Sequence, residues 1–202
     1  MRCRLLVRVP AAPSADLVAR LHELQAGDRL AALVAVGDPA PVALAASLPT
    51  ALLLDGAFEP EPGADGVVAP LGDDAEMEAT ALRRAWGADG LIVAAIGTSR
   101  HRAMEAGEFG ADAVAFEGPL EAVVDCLHWW QGLFVLPAAA RATAATLERL
   151  VAAGADFLLV DGEALDAGTA ARIDAAEGQR TVPALGVERA GHESESSDED
   201  QR

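Results

Sequence analysis

The sequence contains no lysine, no asparagine and no tyrosine, and only 4% of its residues are aromatic. All fifteen basic residues are arginines, set against 32 aspartates and glutamates for a formal net charge of -17. The missing residues have AT-rich codons and alanine is the commonest residue, so a GC-rich genome accounts for the bias. Whatever its origin, the bias excludes a Schiff-base amine, a Walker-type phosphate-binding lysine and a desolvated lysine base. The arginines are scattered rather than clustered, which argues against a nucleic-acid partner and against an anionic membrane surface. No run reaches the ~18 apolar residues of a membrane span, and the N-terminus lacks the order of a signal peptide, so a cytoplasmic protein is expected. The two cysteines, Cys3 and Cys126, lie in apolar stretches without metal-ligand spacing and read as buried free thiols.

What is present is a hidden repeat. The chain has 202 residues, 51% of them apolar, enough for one domain that needs no disulfide or metal staple. Gly63-Ala-Asp, Gly87-Ala-Asp, Gly110-Ala-Asp and Gly154-Ala-Asp each precede an apolar run, at steps of 24, 23 and 44 residues. The last step divides into two, with Gly132-Leu-Phe-Val-Leu at its midpoint. Each glycine suits a left-handed position closing a helix, and each aspartate leads into a short buried strand. Strands are expected near 4–9, 30–36, 51–55, 66–70, 90–96, 112–117, 132–137 and 156–161. Helices are expected near 14–26, 39–48, 73–86, 100–109, 118–131, 141–153 and 163–177. The crossover after strand three, with Pro60 and Pro62, is degenerate. Eight units of about 23 residues predict an α/β fold, a (β/α)8 TIM barrel over 1–182, in preference to an open doubly wound sheet. Residues 183–202 are expected to form a disordered acidic tail, solubilising or serving as an interaction arm.

In such a barrel the chemistry sits where strands end. The residues there are acidic: Asp38, Asp55, Asp73, Glu117 and Asp161. Converging carboxylates suit Mg2+, whereas helix capping competes for Asp38 and Asp73. Arg8, Arg100 and Arg141 suit either bidentate binding of an anion or solvated surface positions. His101 closes a Gly-Thr-Ser-x-His turn suited to an anionic or heteroaromatic ligand. His128 adjoins Trp129 and Trp130, of which only one ring can pack fully inward.

These stretches resemble the thiamine-phosphate synthase and thiazole tautomerase family of (β/α)8 barrels. Leu91 to His101, followed by Gly110-Ala-Asp-Ala-Val, resembles the family's G-x-S-x-H segment and its following strand. Ala64 to Asp73 resembles the strand and loop A-D-G-(I/V)-H-(I/L)-G-Q-x-D, and Gly154-Ala-Asp-Phe-Leu-Leu-Val resembles the run before the closing phosphate-binding loop. The resemblance implies a transferase of thiamine biosynthesis that joins a pyrimidine diphosphate to a thiazole phosphate with Mg2+. It assigns Asp55 and Asp73 to catalysis and metal binding and Ser99 to catalysis beside the diphosphate. It sets His101 beside Ser99 and matches Gly118 to the family's G-P; together with Arg100, Arg141 and Gly162 at the strand ends these are the expected substrate-binding residues, the ligand being small and phosphorylated or heteroaromatic.

The departures from the pattern are coordinated. Leu33-Val-Ala-Val-Gly-Asp-Pro carries neither cation of the family's second strand, and Leu54 stands where an asparagine precedes Asp55. Gly118-Pro119 runs straight into a helix without the lysine-bearing flap, and Glu117-Gly118 replaces the tautomerase histidine. Pro137-Ala-Ala-Ala is expected in place of the glycine pair after strand seven. Activity is therefore expected to be reduced or lost, the alternative being a degenerate barrel that binds a small ligand or acts as a regulator or scaffold.

Overall fold

Alternation within each apolar run decides which side chains look into the barrel. The structure, a computed structural model, describes residues 2–37 and 40–180, so Asp38 and the acidic segment 183–202 lie outside the described residues. Eight strands pair in parallel in chain order: β1 (Arg4–Pro10), β2 (Leu30–Val36), β3 (Ala51–Asp55), β4 (Gly66–Pro70), β5 (Leu91–Ala95), β6 (Ala113–Phe116), β7 (Ala138–Ala142) and β8 (Phe157–Asp161). β1 also pairs with β8, which closes the barrel. Seven helices surround it: α1 (Ala15–Ala26), α2 (Val42–Ser47), α3 (Ala75–Trp86), α4 (Arg100–Glu108), α5 (Leu120–Gln131), α6 (Leu147–Ala152) and α7 (Thr169–Glu177). β3 passes to β4 without a helix, as the prolines of that crossover imply. The fold is the (β/α)8 barrel expected from the repeat. No helix among the described residues is long and apolar enough to cross a membrane.

One parity of each strand packs under the helices, as with Leu5, Val7, Leu52, Leu54, Leu158 and Val160. The other parity fills the interior with Leu6, Ala32, Val34, Leu53, Val68, Val93, Ala113, Ala115, Ala139 and Leu159. Four of those ten are alanines, so the interior is a narrow, filled plug rather than a pore.

Strand seven departs from expectation. The apolar run 132–137 is a loop with Leu133 and Val135 exposed, and the strand is Ala138–Ala142. The run anchors rather than pairs: Phe134 stacks on Trp130 at 4.1 Å, and the Trp130 indole donates to the Leu136 carbonyl at 2.7 Å. Alanine is a poor intrinsic strand former, but β7 lies between the plug and the helix layer, where Ala138, Ala139 and Ala140 are fully buried. α6 correspondingly begins at Leu147 rather than near 141.

Three of the four Gly-Ala-Asp triplets have a mechanical role. Asp65, Asp112 and Asp156 each accept a hydrogen bond from the backbone of the preceding strand, from Leu52, Ile92 and Ala138 at 2.8, 2.8 and 3.0 Å. Each aspartate also donates its own N–H to the carbonyl of that same residue. The strand end is thereby bracketed from both sides. Gly87, Gly110 and Gly154 take positive φ before their strands, as a turn out of a helix requires.

A buried arginine closes the foot of the barrel. Arg29, 1% exposed, donates to the Cys3 carbonyl at 2.7 Å and to both Glu177 oxygens at 3.0 and 2.7 Å, and it pairs with Asp174. Glu177 in turn accepts the Cys3 N–H. α7 is thus tied to the starts of β1 and β2. Burial pushes the Cys3 thiol up to about 12, and burial likewise raises Cys126, so both cysteines are neutral and buried.

Replacing Arg29 with methionine strands the mostly buried Glu177 carboxylate. The expected loss is about 3 kcal/mol in urea unfolding, the usual cost of removing one partner of a buried ion pair. Hydrogen bonding to Arg29 lowers the Glu177 carboxyl below its ordinary value of 4.5, against the opposing effect of burial. Its folded pKa lies below the unfolded one, so the contribution is complete above the unfolded value and is lost as pH falls through the folded value. The stability difference between wild type and Glu177→Gln, measured by urea unfolding, should therefore shrink as the pH falls below the ordinary carboxyl value of 4.5.

Candidate functional site

The last inward-facing residues of β1, β3, β7 and β8 are charged, because two residues beyond the plug the interior opens to water. Leu6 is followed on its face by Arg8, Leu53 by Asp55, Ala139 by Arg141 and Leu159 by Asp161. Arg8 reaches across the mouth. Its Nη2 and Nε donate to Asp55 Oδ2 at 2.5 and 3.2 Å, and its Nη1 donates to Asp161 Oδ1 at 2.7 Å. Arg141 donates to both oxygens of Asp161 at 3.4 and 3.3 Å and lies 3.8 Å from Glu117. The result is an arc of alternating sign, Asp55, Arg8, Asp161, Arg141, Glu117. Burial disfavours the Arg8 charge, but hydrogen bonds and the charges of Asp55 and Asp161 outweigh it and raise its pKa.

The other expected residues lie outside this arc. Asp73 is on the rim, 92% exposed at its side chain, and pairs with Arg102. Ser99 caps α4, its Oγ accepting the Arg102 N–H at 3.3 Å. His101 is exposed on the first turn of α4, 3.1 Å from Glu105. The Arg100 guanidinium lies over the Trp129 ring at 5.1 Å, in the helix layer. Gly118 has φ +149 with the Thr98 methyl 3.1 Å from where a Cβ would stand. Gly162 begins a short 3-10 turn and is buried; a Cβ there would meet the Leu17 side chain at 2.8 Å and the Arg8 carbonyl at 3.0 Å, so close packing alone requires glycine. The residues after β7 are Thr143-Ala144-Ala145 rather than Pro137-Ala-Ala-Ala, and no glycine pair stands there either.

The donor set does not fit Mg2+ as arranged. Two Arg8 nitrogens converge on Asp55 Oδ2, and although Oδ1 lies outside that contact, a divalent ion bound there would sit beside the guanidinium and meet a like charge. Asp73 is engaged separately by Arg102. Among the described residues no three His, Cys, Asp or Glu side chains gather closely enough to hold a metal ion. Arg8 is the residue whose part was missed. The signal for it was the period of two, which puts Arg8, Asp55 and Asp161 on the same face as Leu6, Leu53 and Leu159.

The closed parallel barrel, with charge gathered at the C-terminal ends of its strands, places the chain among the (β/α)8 proteins. No protein-family model matches it. It is 40% identical over 134 residues to a thiamine-phosphate synthase of Hyphomonas neptunium, covering 60% of this chain and 59% of that protein. It is 41% identical over 111 residues to that of Rhodospirillum centenum, covering 50% and 52%. The chain thus matches between half and three-fifths of the length of these curated relatives, and over that stretch its similarity to thiamine-phosphate synthases is plain. Among solved structures, thiamine phosphate pyrophosphorylase from Pyrococcus furiosus aligns with TM-score 0.62 at 17% identity, over 86% of this chain and 96% of that one. The 3-hexulose-6-phosphate synthase of Salmonella typhimurium aligns with TM-score 0.60 at 19% identity, over 90% and 100%. These structural likenesses speak to the fold.

The geometry makes Ser99 a helix cap first. Ser99→Ala should cost about 1 kcal/mol of thermal or urea stability, and Ser99→Asp, which retains an oxygen acceptor, should restore most of it.

Proposed function

We propose that the chain is a thiamine-phosphate synthase-like barrel of thiamine biosynthesis, cytoplasmic, whose transfer of a pyrimidine diphosphate onto a thiazole phosphate is reduced or lost. Its mouth takes a small phosphorylated or heteroaromatic ligand. One observation carries the reduction: the mouth's arginines and carboxylates are engaged with one another. Stabilising a departing diphosphate takes several kcal/mol from cations and donors free to meet it. Arg8 and Arg141 are instead held by Asp55, Asp161 and Glu117. A regulatory or scaffold role is the second reading, supported by the exposed Leu133 and Val135 on the loop that follows the half-buried Trp129.

The test is direct. Purified protein is incubated with the pyrimidine diphosphate, the thiazole phosphate and Mg2+, and thiamine phosphate is quantified beside an Asp73→Ala control. Turnover at the level of that control is expected. Product formed by the wild type and abolished by Asp73→Ala would overturn the proposed loss of activity.

A further inference from the structure

We propose that Arg8 is a resident cation of the barrel mouth, an autoinhibitory contact that occupies the Asp55–Asp161 carboxylate pair and keeps divalent ions from it. The inference deepens the reading of a reduced active site and rests on it.

Three observations carry it. First, one guanidinium bridges both carboxylates, with 2.5 and 3.2 Å contacts to Asp55 and a 2.7 Å contact to Asp161. The bridge leaves Asp55 Oδ1 and Asp161 Oδ2 outside it, but Asp161 Oδ2 is met by Arg141 at 3.3 Å, and a divalent ion bound between the two carboxylates would sit beside the Arg8 guanidinium and meet a like charge. Second, Arg8 is fixed from below. It follows the buried Val7 in a strand paired on both edges, and β1 and β8 are in register so that Arg8 lies opposite Asp161. Its side chain is 19% exposed, the least exposed of the five charged groups in the arc. Third, the bridge neutralises charge that would otherwise attract cations. Without Arg8, Asp55, Asp161 and Glu117 would face only Arg141. The mouth would then carry two excess negative charges in a site walled by the apolar plug, where such charges act strongly.

The test is binding of Mn2+ to the full chain, read from the electron paramagnetic resonance of the free ion, so it does not depend on catalysis. Mn2+ shares the hard, oxygen-seeking character of Mg2+. At a Mn2+ concentration that half-saturates Arg8→Gln, the wild type should hold little ion that Asp55→Asn removes. Arg8→Gln, which keeps a hydrogen-bonding side chain without the charge, should bind one ion at least about tenfold more tightly than the wild type, the gain expected when a pair accessible less than about a tenth of the time becomes free. Asp55→Asn on the Arg8→Gln background should return binding to the wild-type level, which separates the mouth from weak binding by the many surface carboxylates.

Arg8→Leu serves as a second variant should Arg8→Gln lose the barrel's circular dichroism. The wild-type titration stands by itself, because an Asp55-dependent wild-type site as tight as that expected of the variant overturns the proposal. So does a folded Arg8 variant that binds no better than wild type, or a gain that survives loss of Asp55. Thiamine phosphate made by a wild type that binds no Mn2+ at Asp55 would overturn the proposed loss of activity while leaving Arg8 in its place.

Discussion

Parallel pairing of β1 with β8 is the contact on which the rest of the molecule depends. It turns a row of short apolar strands into a closed wall, and it sets Arg8 directly opposite Asp161. Once the sheet is closed, every second side chain has nowhere to go but the axis. The axis is narrow, so alanine, valine and leucine fill its middle and longer polar side chains appear only where it opens. Charges brought together there in reduced dielectric must pair, and they do so in alternating sign. The mouth's electrostatics are therefore a consequence of topology as much as of composition.

This coupling separates the residues that the strands need from those that the mouth holds. The Gly-Ala-Asp triplets have architectural duties. Asp65, Asp112 and Asp156 bracket strand ends at the foot, and Ser99 caps a helix. Such residues are required by the barrel whether or not it retains a given chemistry. Function on this scaffold lives in the few inward side chains at the strand ends, and in this chain those side chains contact one another.

Most of the architecture was legible because it is periodic. Seven strands fall where the tetrads and apolar runs put them, and the prolines after β3 mark the one crossover without a helix. β7 was not legible, since Ala138–Ala142 has no hydrophobic bulk to announce it, while the louder run at 132–137 lies outside the wall as an aromatic anchor. At the mouth the candidates were legible by position, but their partners were not. Asp55 and Arg8 are 47 residues apart, and only barrel closure brings them together. Arg100 shows the converse, because its place after β5 suggests the mouth while the Trp129 ring draws its guanidinium into the helix layer.

The aspartate brackets divide the barrel in a way that its eightfold outline hides. They join β3 to β4, β5 to β6 and β7 to β8, each within a two-strand module whose foot is fastened by its own residues. The β1–β2 pair is fastened by Arg29 to the last described helix as well. The first quarter also has local fasteners, Arg29 to the Cys3 carbonyl and Arg4 to the Leu30 carbonyl, each at 2.7 Å, and differs in being tied in addition to the last described helix. The first quarter is thus the one whose foot depends on both ends of the described chain, so an exchange or cleavage that frees the last described helix is felt first at the foot of β1 and β2.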